Sequence, residues 1–135
     1  MYSVYTYLEI NNMQRVAIPI FQNRVSPVLD SCRHMLIIDI QQKAEMDRET
    51  VYLDEMSLTE RCGIFAKLDV AMVICGGVSE IFANMLMGAN IRLLNGIAGE
   101  IDDVITAFLE KRLDKPQFYM PGFRQDNRRQ SKQTR

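Results

Sequence analysis

Features that would settle the chemistry at once are scarce in this sequence. Sixteen Lys and Arg residues against seventeen Asp and Glu leave a net charge of -1, so no surplus of one sign invites nucleic acid or another polyion. No apolar run approaches the ~20 residues that cross a bilayer. The start, MYSVYTYLEINNM, has neither the basic stretch nor the small-residue cleavage site of a secretion signal. A cytoplasmic protein with no membrane and no nucleic-acid partner is therefore expected. Cysteine is sparse too: Cys32, Cys62 and Cys75 are odd in number, contain no C-x-x-C and fit no disulfide framework, which predicts reduced thiols. Nor can three cysteines complete a four-cysteine iron–sulfur site.

What is present is an apolar share of 47% on a 135-residue chain, enough for one domain with a substantial core. QRVAIPIF (14–21), HMLIIDI (34–40), TVYLDEM (50–56) and VAMVIC (70–75) are short runs rich in β-branched residues and bounded by polar stretches, and they predict four strands. IRLL (91–94) predicts a fifth. Residues 60–67, ERCGIFAK, read as a weak helix carrying a glycine, and 79–88 as a firmer one in which Ile81, Phe82, Met85 and Leu86 recur at helical spacing. In GEIDDVITAFLEKRL (99–113), Ile101, Val104, Ile105, Phe108 and Leu109 form one stripe. Glu100, Asp102 and Asp103 then fall in the first turn and Lys111 and Arg112 in the last, as the helix dipole favours.

The order β-β-β-α-β-α-β-α predicts an α/β layer fold, with an antiparallel meander on one side of the sheet and parallel crossovers on the other. Pro19 is expected to mark where the first strand stops pairing. Residues 13–115 form the expected domain. The extension 1–12 has alternation suited to an added edge strand, and 116–135, PQFYMPGFRQDNRRQSKQTR, read as a disordered tail with a solvated set of arginines.

The same order of elements occurs in the ribonuclease H-like fold, whose nucleases hold two metal ions on carboxylates, one of them on the first strand. QRVAIPIF offers no Asp or Glu, so the nuclease reading fails. RVAIPIFQNRVSPVLDSCRHMLIIDI, followed by DVAMVICGGVSEIFANMLMGANIRLL and a G-x-I-x-x-V-I-x-A-F-L helix, resembles the nitrogenase iron-molybdenum cofactor-binding family, which includes NifX, NifY and the carboxy-terminal part of NifB. The resemblance runs from about Gln14 to Leu113. It implies a ribonuclease H-like fold, a mixed five-stranded sheet in the order 3-2-1-4-5 with three helices, and a role in binding or carrying a molybdenum- and/or iron-containing sulfide cluster without catalysis.

With that order, strands one, four and five are parallel and end on one edge, where α/β sheets usually bind ligands. The expected cofactor-binding residues are Cys75, Gly76, Gly77 and Ser79, at the joint between the fourth strand and the next helix, and Ser26 of the Ser-Pro after the first strand. The glycines would let a cluster approach the backbone, and the helix would offer N–H groups to an anion. Glu80 stands where many family members carry Arg, which weakens that anion site. Cys32, His34 and Cys75 are the expected metal ligands, a thiolate and imidazole set suited to iron, copper or zinc. Cys32 and His34, two residues apart, would share a face of an extended segment. Cys62 reads as a core thiol. Removal of Cys75 is therefore expected to affect binding more than stability, and removal of Cys62 the reverse. A metallocluster donor or acceptor protein is the implied partner. The alternative is a regulatory or interaction module of the same fold that binds a small anion or a partner protein without a cluster.

Overall fold

The computed structural model describes residues 13–122. Its elements in chain order are β1 (Gln14–Phe21), β2 (Arg24–Val25), β3 (His34–Gln41), β4 (Ala44–Tyr52), α1 (Leu58–Lys67), β5 (Met72–Ile74), α2 (Glu80–Gly88), β6 (Arg92–Leu94) and α3 (Ile101–Leu109), then a 3-10 turn over Pro116–Phe118. The sheet runs β4-β3-β1-β5-β6. β1, β3 and β4 pair antiparallel, while β5 joins β1 and β6 in parallel. This is the expected mixed α/β sheet, with one addition: the two-residue β2 folds back antiparallel on the end of β1.

The strands alternate between two buried faces. Val16, Ile18, Leu36, Ile38, Ile74 and Leu94 pack against Ile101, Val104 and Ile105 of α3. Their neighbours Ala17, Met35, Ile37, Val73 and Leu93 pack against Phe65 of α1 and Phe82 and Leu86 of α2. A side-chain period of two in strands covered on both sides explains why these runs are apolar throughout.

Four boundaries differ from the sequence reading. The third strand occupies Ala44–Tyr52 and not 50–56, because AEMDRETVY is an edge strand with little to bury and so lacks an apolar signature. It forms a hairpin with β3 through Gln42 and Lys43, both at positive φ. β1 continues past Pro19 to Phe21. Pro19 stays paired with Met35 of β3, while its carbonyl accepts from Ser26 N–H at 2.8 Å, so the missing N–H lies where β5 gives way to β2. α3 stops at Leu109, and Lys111, at φ 60, turns the chain, so Lys111 and Arg112 lie beyond its last turn. Finally, the segment read as a disordered tail from Pro116 begins with structure: Phe118 is buried against α3, and its carbonyl accepts from Ala98 N–H. The expected added strand in 1–12 and the arginine-bearing 123–135 lie outside the described residues.

Candidate functional site

The helices α1, α2 and α3 all begin at the edge where β4, β5 and β6 end, which is also the carboxyl end of β1. Three loops meet there. Val25 N–H donates to Gly99 C=O and Ile101 N–H to Asn23 C=O, joining the loop after β1 to the start of α3. Gly96 N–H donates to Gly76 C=O and Ile97 N–H to Cys75 C=O, each at 2.9 Å, joining the loop after β6 to the turn after β5. The loops 22–33, 76–79 and 95–99 thus meet at the edge where the parallel strands end.

The cradle at Gly76 and Gly77 is filled by the chain itself. Gly77 N–H donates to Pro27 C=O at 2.7 Å and Leu29 N–H to Gly77 C=O at 2.8 Å, a short parallel bridge between Val28 and Gly77. A Cβ on Gly76 would stand 2.8 Å from the Pro27 carbonyl oxygen and 3.0 Å from that of Ser26. The close backbone approach that demands glycine is therefore made by residues 26–27. Ser26 itself is buried in this contact. At the start of α2, Ser79 Oγ accepts from Phe82 N–H, and the Asp30 carboxylate accepts from Ser79 N–H at 2.9 Å. The helix end already holds an anion from within the chain.

The thiols point inward. Cys75, fully buried, and Cys32 belong to the same apolar cluster under α1 and α2. Burial pushes the Cys75 thiol far above its ordinary value, and the neighbouring Cys32 and Asp30 add to the shift. Burial likewise raises Cys32, to about 11, against the opposing pull of the Arg61 guanidinium. Arg61 is itself buried; it donates through Nε to Met56 C=O and through Nη1 to Cys32 C=O at 2.6 Å, with Cys32 Sγ at 3.7 Å. His34 is exposed on β3, its ring 5.2 Å from that of Tyr52. Cys32 precedes the strand, so the alternation that would align it with His34 does not apply, and one is buried while the other faces solvent. Cys62 is half-buried in α1, with Sγ 3.8 Å from Met85 C=O. Among the described residues no three His, Cys, Asp or Glu side chains are grouped so as to hold a metal ion.

Asp30 and Arg61 escaped the sequence reading as parts of this edge. Arg61 had a usable signal, since it lies four residues before Phe65 on the buried stripe of α1. Asp30 had none, because its partner lies 49 residues away.

The family described as dinitrogenase iron-molybdenum cofactor matches residues 13–111, most of the chain and nearly all of the sheet and helices above. The chain belongs to this family. No curated protein matches it significantly. Solved structures similar to this iron-molybdenum cofactor family member include that of PH0822, with a TM-score of 0.70, 22% identity, and coverage of 73% of this chain and 91% of the other. A Methanocaldococcus jannaschii protein described as a candidate dinitrogenase gives a TM-score of 0.62 at 22% identity, covering 73% and 89%. The apo form of the orange protein from Desulfovibrio gigas gives 0.63 at 19%, covering 74% and 90%. At such identities these likenesses establish the fold. No helix among the described residues is long and apolar enough to cross a membrane.

Proposed function

We propose that this member of the iron-molybdenum cofactor family binds or carries a molybdenum- and/or iron-containing sulfide cluster as cargo, as an accessory of metallocluster biosynthesis and not as an enzyme. Family membership over residues 13–111 is the observation that carries this reading. The convergence of three loops on one edge supports its location. A donor or acceptor protein for the cluster is the partner it implies.

The geometry sets a condition on loading. With Cys32 and Cys75 buried and protonated and His34 on the exposed side, these side chains do not fit a preformed metal centre. For Cys75, Gly76, Gly77 and Ser79 to meet a cluster, residues 26–33 must part from the 76–79 turn. That frees the N–H groups of Gly77 and Ser79 and withdraws Leu29 and Cys32 from the cluster that buries Cys75. Cys32 and Cys75 are then the proposed ligands, with His34 joining only if the chain around Arg33 rearranges.

The filled cradle and the Asp30 contact favour one second reading, an interaction module of the same fold that has no cluster. Titrating tetrathiomolybdate anaerobically into isotope-labelled protein separates the two. Cluster handling predicts saturable amide shifts at 26–33 and 76–79, and absence of shifts there in folded protein supports the cluster-free module.

A further inference from the structure

A buried positive charge at this edge has no counter-charge. Arg61 is the only charged side chain that is buried among the described residues, at 4% exposure. Arg15, Arg24, Arg33, Arg48 and Arg112, all more exposed, each have a carboxylate within ion-pair distance, whereas Arg61 has none among the described residues. Its Nε donates to Met56 C=O at 3.0 Å, and Nη1 donates to Cys32 C=O at 2.6 Å and lies 3.7 Å from Cys32 Sγ. Nη2 donates to no group among those residues. The neighbouring Glu60 is exposed, and its carboxylate is bound to Ser57 N–H. Two carbonyls thus take part of the guanidinium's five donors and leave its charge unpaired, a state that proteins seldom keep because a buried charge is costly unless compensated.

Position ties this charge to the proposed site. Residues 26–33 are bound to the glycine turn at Leu29 and Asp30, through Gly77 C=O and Ser79 N–H, and to Arg61 at Cys32. When that segment parts from the turn, the Asp30 carboxylate leaves Ser79 N–H. The groups then offered around the two thiols are N–H donors and one cation.

We infer that Arg61 is the charge partner of the cargo, and that it makes the edge select an anionic thiometallate over a bare metal cation. This deepens the cluster-handling reading and rests on it. A sulfide-ligated molybdenum centre is a polyanion whose sulfides accept N–H hydrogen bonds, and attachment at Cys32 Sγ would set it beside the guanidinium. The planar fork can then meet two acceptors at once, as it does with carboxylate or phosphate. A bare copper or zinc ion suits thiolate equally well, but there it would meet an uncompensated positive charge and be repelled.

The test titrates wild-type protein and the full-length variants Arg61→Gln and Arg61→Lys anaerobically with tetrathiomolybdate and, separately, with cadmium ion, a thiolate-binding cation. Gln should weaken tetrathiomolybdate binding by ~30-fold or more, as removing one partner of a buried charge pair does. Cadmium binding should be unchanged or tighter in the same variant, and Lys should restore most of the anion binding. A purely structural Arg61 would weaken both probes together; that parallel loss would overturn the proposal. So would tetrathiomolybdate binding that Gln leaves intact, or that Lys loses as fully as Gln. The wild-type chain gives a check that does not depend on how the variants fold. In isotope-labelled protein the Arg61 Nε–H resonance should shift as tetrathiomolybdate is added, and a resonance unmoved at saturation would refute the pairing while leaving cluster handling intact. Wild-type protein that takes up no tetrathiomolybdate would overturn both.

Discussion

Gly76 and Gly63 show how differently two glycines of one chain are constrained. A Cβ at Gly76 meets backbone oxygens of residues 26 and 27, which cannot swing aside as a side chain would, so Gly76→Ala should cost ~1–3 kcal/mol through forced backbone shifts. Gly63, exposed within α1, has nothing within 4 Å of the same position, and Gly63→Ala should stabilise by ~0.5–1 kcal/mol. Urea unfolding of both variants checks the opposite signs. The cysteines follow the same logic of surroundings. Cys75→Ser places a hydroxyl in a fully buried position of the apolar cluster and should cost ~1–3 kcal/mol, whereas Cys62→Ser in a half-buried site should stay within about 0.5 kcal/mol. Both expectations reverse what the sequence alone suggests. Raised thiol pKa values also fix the sign of a pH effect. Unfolded thiols ionise near ~8.5, and Cys32 in the native state ionises at about 11, with Cys75 higher. The unfolded chain therefore loses these protons first, and stability should fall as pH climbs through that interval. Cys32→Ala should flatten the fall, and an unchanged slope would remove the thiol from the account.

At the scale of elements, α1 depends on its start. Ser57 Oγ accepts from Glu60 N–H and the Glu60 carboxylate accepts from Ser57 N–H, a reciprocal cap on a helix weakened by Gly63. Ser57→Ala should cost ~1 kcal/mol. The Ser57 hydrogen bonds lower the Glu60 pKa, so its contribution is complete above the ordinary carboxylate value and fades as pH falls through the folded one. A urea midpoint in Glu60→Gln that follows the wild-type pH dependence in that window would contradict this. What the sequence revealed of the elements tracks how far each is buried. β1, β3 and the stripe of α3 were legible because two covered faces demand apolar runs, as in HMLIIDI. β4 starts six residues earlier than expected because AEMDRE is solvated and carries no apolar signature. At the site, the glycine turn after Cys75 was legible as a close approach. Its occupant was not, because Pro27 precedes the turn by some fifty residues and no local pattern records such a contact. The inward aim of Cys75 could have been read from alternation, since it shares parity with Val73 and not with Ile74.

For the whole molecule, the domain extends beyond the stretch matched by the family. Phe118 is buried against α3, and residues 118 and 120 bond to the loop after β6. A chain ending at Pro116 should therefore lose ~3–5 kcal/mol, comparable to deleting a buried phenylalanine, while one ending at Gly122 should retain nearly all its stability. Thermal unfolding of the two separates these outcomes. The larger claim is that a folded body with closed loops and buried thiols opens to take a metal–sulfide cargo at the edge where its three helices begin. The most direct measurement is metal content. Protein purified anaerobically and incubated with ferrous iron, sulfide and tetrathiomolybdate, then passed through gel filtration, should retain about one cluster's worth of molybdenum or iron per chain. That cargo should show sulfide-to-metal absorption and be lost when residues 26–33 are locked to the 76–79 turn. Folded protein emerging from the column free of molybdenum and iron would contradict the account.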